Sequence, residues 1–352
     1  MNTPWGAAKQ GSHLGRWGAA VVETAVVEPR RIDGAQSLAR DGSSTLVAIG
    51  NFDGVHAGHR AVLARAKLAA EERGLGHVVL TFHPHPSEVL GRGKQAVLTP
   101  IDRKVELLCR LSPELRVVVE PFTKELAATS PRSFAEELLV QRLGAKVVVV
   151  GQNFRFGQNR AGDLKMLEEL GKGLGFEARA EPLAGDAEGT FSSSRIRAQI
   201  GQGDLPSARR LLGRPHALSG TVVRGDGRGR TIGVPTANLG GAVEALPPYG
   251  VYACLVDRID GPSSAVRLST GVANIGERPT FGAGFSVEVY LHDFDQDLYG
   301  AVLRVHLTER IRPEMKFSGV VELVARIRAD IETARRLTAS ETPDPAALGA
   351  WY

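Results

Sequence analysis

The amino-acid sequence predicts two fused modules: a doubly wound α/β domain built on a parallel sheet, then an antiparallel β-barrel closed by a helix. Three observations carry this. From Leu46 to about Leu212, short apolar runs alternate with helical patterns, the signature of strands joined by crossover helices. KVVVVG, Lys146 to Gly151, is apolar at nearly every position, which a strand needs when helices cover both of its faces. From GRPHALSG, residues 213–220, strand-like runs follow one another with no helix between them, as in an antiparallel sheet or small barrel.

Each element has its own warrant. TLVAIG reads as a strand, and HRAVLARAKLAAEERG as a helix ended by Gly74. HVVLTF is the next strand. TPIDRKVELLCRL begins a helix, with Thr99 as N-cap, Pro100 at the first helical position and Asp102 closing a capping box. RVVVE is a strand, SPRSFAEELLVQRLG repeats the Ser-Pro helix start, and KVVVVG follows Gly144. The barrel strands are ALSGTVVRG, GVYACLVDRI, AVRLSTGVANIG, FSVEVYLHDF and AVLRVHLTERI, punctuated by Gly, Pro and Asp. A last helix starts at Ser318, and Val320, Leu323, Val324, Ile327 and Ile331 give it one apolar face for the barrel. The chain divides into an extension (1–40), the α/β module (41–212), the barrel module (213–338) and a tail (339–352). Trp5, Trp17 and Trp351 lie in the two ends.

Composition narrows the function. The 352 residues suffice for two domains, and 43% are hydrophobic, enough for sizeable cores. The formal charge of +4 suits anionic ligands without requiring nucleic acid. No Lys/Arg stripe or aromatic platform supports a nucleic-acid partner. Cys109 and Cys254 match no zinc spacing and read as free thiols in a reducing compartment. The N-terminus lacks the apolar core of a signal peptide, and no run is long enough to span a membrane. A cytoplasmic protein is expected. Its oligomeric state is left open, a homo-oligomer included.

The first chemical constellation is GNFDGVHAGHR, Gly50 to Arg60, where strand meets helix. Ligands of doubly wound sheets bind outside the carboxyl ends of strands. Glycines let the backbone approach a phosphate, and a helix N-terminus offers unpaired N–H groups. His56 and His59, three apart, can face one anion and donate to oxygens whose charge grows in a transition state. The residues alone also allow a structural pair or a metal pair, with His83 and His85 of TFHPHP as further ligands. TFHPHP alone is equally a rigid turn.

GxFDGxHxGH is similar to the ATP site of the nucleotidyltransferase superfamily. It resembles in particular the adenylyltransferase module of bacterial bifunctional riboflavin kinase/FAD synthetases. TFHPHP, GQNFRFGQNRAGD (151–163) and SSSRIR (192–197) agree with that family in order. The resemblance implies ATP contacts from Gly50, Phe52, Asp53, Gly58, Asn153, Ser193 and Arg197. It implies catalytic roles for His56 and His59, and a flavin-phosphate site flanked by His83, Pro84 and Pro86. The reaction implied is attack of the FMN phosphate on the α-phosphorus of ATP, with loss of pyrophosphate.

The second constellation is GTVVRGDGRGRTIGVPTANL, Gly220 to Leu239. Its loop is glycine-rich and cationic. Pro235 stiffens the chain before Thr236 and Asn238, two hard oxygen donors on one side if extended, which suits Mg²⁺ on nucleotide phosphates. No GxxxxGK[ST] is present, so this is not a P-loop. The stretch resembles the riboflavin kinase motif GxxxGxxxGxPTAN, and LPPYGVYA, GVANIGERPTFG, VEVYLHDFDQDLYG and RIRPEMKFSGVVEL continue the likeness. By that resemblance Gly225, Gly227, Gly229 and Arg230 contact ATP, Thr236 and Asn238 hold the metal, and Glu288 is the general base. Alternation puts Glu288 beside Tyr290 and opposite core-facing Val287 and Val289. Asp293, Asp295 and Asp297 read as a solvated acidic turn rather than a calcium loop.

The family implies riboflavin, FMN and ATP as partners and Mg²⁺ as cofactor. Two alternatives stay open at this point: one working activity, or a flavin-binding regulator without turnover.

Overall fold

Six parallel strands form the first sheet: β1 Arg31–Asp33, β2 Thr45–Ile49, β3 Gly76–His83, β4 Arg116–Pro121, β5 Ala145–Gly151 and β6 Glu177–Glu181, in spatial order β1-β4-β3-β2-β5-β6. The computed structural model describes residues 30–341, apart from 40, 41, 92, 94, 95, 113, 183, 226, 262, 263 and 278–283. Trp5, Trp17, Trp351 and part of GERPTFG therefore lie outside the described residues. Alternate residues of the central strands feed two cores, as a sheet covered on both faces requires. Val47, Ile49, Val78, Leu80, Val118, Val148 and Val150 pack on one side. Leu46, Ala48, Val79, Val117, Val119, Val147 and Val149 pack on the other, against the helices Ala57–Glu72 and Ile101–Cys109.

After a two-residue hairpin, β7 Gly185–Asp186 with β8 Gly189–Thr190, come the helices Ser193–Gln202 and Leu205–Leu212. The second module is a closed antiparallel barrel, β10-β13-β12-β11-β14-β9. Its strands are β9 His216–Val223, β10 Ala237–Gly240, β11 Gly250–Gly261, β12 Ser264–Glu277, β13 Phe285–Leu291 and β14 Val302–Pro313. Leu218, Tyr252, Cys254, Ala273, Val287, Val289 and Val305 fill its interior. Both cysteines are buried free thiols.

The structure corrects four local expectations. Residues 31–33, assigned to the extension, pair with β4 as an edge strand. Thr99 does not cap its helix: Pro100 holds the cap position without a side-chain bond. The Thr99 hydroxyl instead accepts from Gly54 N–H and reaches Asp53, while Asp102 pairs with Arg31. The Ser-Pro helix continues in wider i→i+5 turns over Phe134–Arg142. The last helix, Val320–Thr338, docks through its second half. Ala334, Ile331 and Leu337 meet Val251, Ala253 and Val272, whereas Val320 is 62% exposed.

A buried charge cluster joins the modules. Glu106 accepts from Arg103 and Arg110 of its own helix region and from Arg304 of β14, at 2.5, 2.8 and 2.8 Å. Burial alone would raise this carboxyl, but Arg103, Arg304 and Arg110 outweigh it and hold it at about 2. Removing one partner from such a cluster typically costs ~3–5 kcal/mol.

Stability should depend on acid through histidine. Burial first lowers His56, His77, His216 and His306 each to about 4. Because these folded values are depressed, the unfolded chain binds more protons between about pH 6.5 and 4, so stability present near neutrality is lost as pH falls through that window. Each imidazole can contribute up to about 3 kcal/mol. Melting followed from pH 7.5 to 4.5 should show a midpoint lower by about 10 °C or more at the acid end; a flat profile would contradict the burial of these rings.

Candidate active sites

The first site is built on a strained loop. Phe52, Gly54 and Val55 all have positive φ, at 48°, 87° and 42°, and a β-branched residue there is an outlier. Such backbone persists only where its surroundings over-determine it. The Asp53 carboxylate accepts from the backbone of Leu98 and Thr99 and from Arg197. Ser193 Oγ donates to the Asp53 carbonyl at 2.8 Å. The loop delivers His56 as N-cap of the helix Ala57–Glu72, its ring accepting from His59 N–H at 3.4 Å. That bond uses the Nδ1 lone pair, so the proton of neutral His56 sits on Nε2.

His56 and His59 stack with ring centroids 3.6 Å apart. Burial first, then Arg60, lowers His56 to about 4. Burial first, then His56, Lys104 and Arg60, lowers His59 well below the usual imidazole value. Both are therefore neutral N–H donors near pH 7. They line a cleft of about 410 Å³ with Gly50, Phe52, Gly58, Asn153, Glu181 and Ser193. The cleft opens at the carboxyl ends of β2 and β5, where the strand order reverses, and two helix N-termini, behind His56 and Ser192, face this region. That is an anion-binding arrangement. Among the described residues, no group of three His, Cys, Asp or Glu comes together as a metal cage.

Asp53 and Arg197 sit behind this cleft rather than on its wall. Arg197 donates to Asp53 at 2.6 Å and to the Ala96 carbonyl at 2.8 Å, so the fork expected to meet a triphosphate is turned toward the loop and neutralised there. A second cleft of about 550 Å³ shares Gly50 and Asn153 with the first, and is lined by Phe82, His85, Pro86, Phe122 and Phe154. Pro86 is on its wall. His83 and Pro84 are exposed and are not among its lining residues; Phe82 and Phe122, edge to face at 5.8 Å, supply the apolar surface instead.

The sequence reading missed Lys104 and Glu181, and weighed His85 only as a metal ligand, whereas it lines the aromatic cleft. Lys104 is 7% exposed, and its charge lowers the basicity of His59 and His85. A lysine inside RKVELL reads as solvent-facing, yet here it lies within electrostatic reach of Asp53, His59 and His85 of its own module. The Pro-bounded TFHPHP did signal a fixed turn, and His85 caps its short helix.

In the barrel, a cleft of about 570 Å³ is lined by Arg230, Pro235, Thr236, Asp295, Asp297 and Tyr299. Asn238 and Glu288 are register partners between β10 and β13, and Asn274 faces Glu288 from β12. Directly opposed residues share a sheet face, so the three form one polar row, while Val287 and Val289 turn into the core. Glycine is required beside the proposed donors. A Cβ on Gly225 would lie 2.5 Å from Asn238 Nδ2, and one on Gly229 would meet the Val234 carbonyl and sit 3.4 Å from Thr236 Oγ1. Gly227, with φ 71°, caps the helical turn Arg228–Thr231. Asp293 is paired with Arg335 at 2.7 Å, which ties the acidic turn to the last helix.

Comparison with known proteins agrees with this division. A FAD synthetase family model matches residues 39–195, and a riboflavin kinase family model matches residues 212–338. The bifunctional riboflavin kinase/FMN adenylyltransferase of Bacillus subtilis is 39% identical over 301 residues, covering 84% of this chain and 92% of its own. The Escherichia coli K12 protein of the same description is 38% identical over 292 residues, covering 82% and 91%. A crystal structure described as a macrolide-efflux protein from Streptococcus pneumoniae superposes with a TM-score of 0.74 at 30% identity, over 87% of this chain and 98% of that one. It supports the fold; no helix among the described residues here is long and apolar enough to cross a membrane. Two family models matched in order, with relatives 38–39% identical over more than four fifths of the chain, show that the chain belongs to the bifunctional riboflavin kinase/FMN adenylyltransferase family.

Proposed function

We propose that each activity works in its own module, with the residues above in defined roles. The chain is a bifunctional enzyme of flavin-cofactor synthesis that uses ATP twice: riboflavin is phosphorylated to FMN, and FMN is adenylylated to FAD. In the barrel, Glu288 takes the proton of the terminal ribityl hydroxyl as that oxygen attacks the γ-phosphorus, and ADP leaves. Gly225, Gly227, Gly229 and Arg230 cradle the nucleotide. Thr236 and Asn238 are hard oxygen donors beside space that only glycine leaves, which fits Mg²⁺ held mainly by phosphates. When bound, Mg²⁺ neutralises phosphate charge.

In the α/β module, an FMN phosphate oxygen attacks the α-phosphorus of ATP and pyrophosphate leaves. His56 Nε2–H and His59 donate to the oxygens that gain charge, while Gly50, Phe52, Gly58, Asn153 and Ser193 shape the nucleotide cleft. Asp53 and Arg197 act behind the wall by holding the loop. The aromatic cleft of Phe82, Phe122 and Pro86 takes the flavin; His83 and Pro84 do not line it. The single observation that carries this reading is the stacked, neutral imidazole pair on the wall of an anion cleft at the switch point of the sheet.

A cytoplasmic site of action follows from reduced cysteines and nucleotide substrates. The test is direct. Pure protein given riboflavin, ATP and Mg²⁺ should form FMN and then FAD, and excess EDTA should abolish both steps. Product formation unaffected by EDTA would remove the metal from the reading, and FMN without FAD would leave a single working activity.

A further inference from the structure

The strained FDGV loop is gripped from outside its own module. Arg214 Nη2 donates to the Gly54 carbonyl at 2.7 Å, and Nη1 to the Leu212 carbonyl at 3.2 Å. Arg60 Nη1 donates to the same Leu212 carbonyl at 2.6 Å and to the Val55 carbonyl at 3.3 Å. Two guanidinium groups thus hold consecutive carbonyls of the loop and one shared carbonyl of the segment joining the modules. Arg214 is 5% exposed, so water does not substitute for these bonds. Gly213 between them has φ 69°, and a Cβ there would collide with Arg60 Nη2. The junction is shaped so that both arginines fit.

The position of Arg214 gives this weight. It lies outside the residues matched by the FAD synthetase model and inside those matched by the riboflavin kinase model. We infer that Arg214, supplied by the start of the second module, is a positioning residue for adenylyl transfer, acting through the Gly54 carbonyl on the loop that aims His56. The inference rests on the reading that His56 and His59 serve that reaction. Val55 at φ 42° and Phe52 at φ 48° do not hold their shape by themselves. Asp53 secures the loop through Leu98, Thr99 and Arg197; Arg214 and Arg60 secure the two residues immediately before the imidazole. Without Arg214, Gly54 loses its carbonyl anchor, and the cap that orients His56 can relax toward ordinary backbone.

The experiment uses the full chain. Arg214→Met keeps most of the side-chain volume and removes the donors. FMN adenylylation and riboflavin phosphorylation are measured on one preparation, with kcat and KM for ATP resolved in each. Expected is a loss of about 10–100-fold in kcat for adenylylation, the scale of a reacting group displaced by roughly 1 Å, with KM for ATP within about threefold and phosphorylation within about twofold. Arg214→Lys, which keeps the charge and one donor, should recover severalfold of the lost rate. A residue that merely docks the modules would lower the melting temperature without separating the two activities. Adenylylation within twofold of the parent in folded Arg214→Met, or equal loss of both activities, overturns the inference. Should the Met variant not fold, Arg214→Lys carries the test: adenylylation should fall by about 3–10-fold relative to the parent while phosphorylation stays within twofold, and equal loss of both, or loss of neither, overturns the inference again. His59→Ala run alongside separates the two levels of argument: full adenylylation there sinks the imidazole reading itself, whereas its loss with Arg214→Met unaffected sinks only the role of Arg214.

Discussion

His59→Ala should lower kcat for FMN adenylylation by about 10²–10³-fold and leave riboflavin phosphorylation within about twofold, so that riboflavin and ATP yield FMN that accumulates. The size follows from removing one preorganised donor at a position where charge develops. His59 is suited to that position because it is neutral. Burial, His56, Lys104 and Arg60 all depress its basicity, so at pH 7 it presents an N–H with no proton to lose or gain. Its aim is fixed by the stack on His56 and by the loop beneath. Alanine also opens space against Phe52, whose ring lies edge-on at 5.2 Å. Stability should move far less than activity. His59 Nδ1 is buried with no hydrogen-bond partner among the described residues, and deleting an unsatisfied polar atom offsets part of the lost packing. A melting midpoint near that of the parent, together with the lost second step, identifies a chemical defect; intact adenylylation in a folded variant would refute the role.

How much of this was legible in the sequence depends on range. Local signals carried the sheet. KVVVVG is buried on both faces as its composition demands, and the alternation of FSVEVYL separates Glu288 from Val287 and Val289 as expected. The imidazole pair was legible because GNFDGVHAGHR sits where one strand hands over to one helix, a juxtaposition that neighbours in sequence can specify. Contacts between distant segments were not legible. Thr99 carries a good N-cap pattern, yet Asp53 and Gly54, about 45 residues earlier, claim its hydroxyl. Arg197 has the chemistry of a phosphate fork, but Asp53 lies within reach and takes it. Arg103 and Glu106 look like an exposed charged face, and are buried where β14 brings Arg304 to Glu106; Lys104 is buried on the other side, near Asp53 and His85. Arg214 looks like any arginine in a linker until its carbonyl partners are seen. For Thr99 the N-cap reading failed because tertiary packing supplied other partners, which overrides a local preference worth only about 1 kcal/mol.

Glu288→Gln tests the other module with the smallest available change. The expected loss in kcat for riboflavin phosphorylation is about 10²–10⁴-fold, the usual contribution of a positioned general base. Glutamine keeps the shape of the side chain and can still hydrogen-bond along the row formed with Asn238 and Asn274. It cannot accept the ribityl proton. The barrel should remain closed, since Val287 and Val289 on the opposite face hold β13 in the core and are untouched. Adenylylation should persist within about twofold, which allows a bypass: the variant given riboflavin should make almost no FAD, and the same preparation given FMN should make it at the parent rate. A carboxylate that served only to tether β10 to β12 would respond differently, because the amide would preserve the tether and with it the activity. The bypass also bears on how the modules cooperate. The aromatic cleft beside His85 and the cleft beside Thr236 lie in separate folds joined through Glu106 and Arg304. If added FMN restores the parent rate, the second step takes FMN from solution and does not require that the barrel has just produced it.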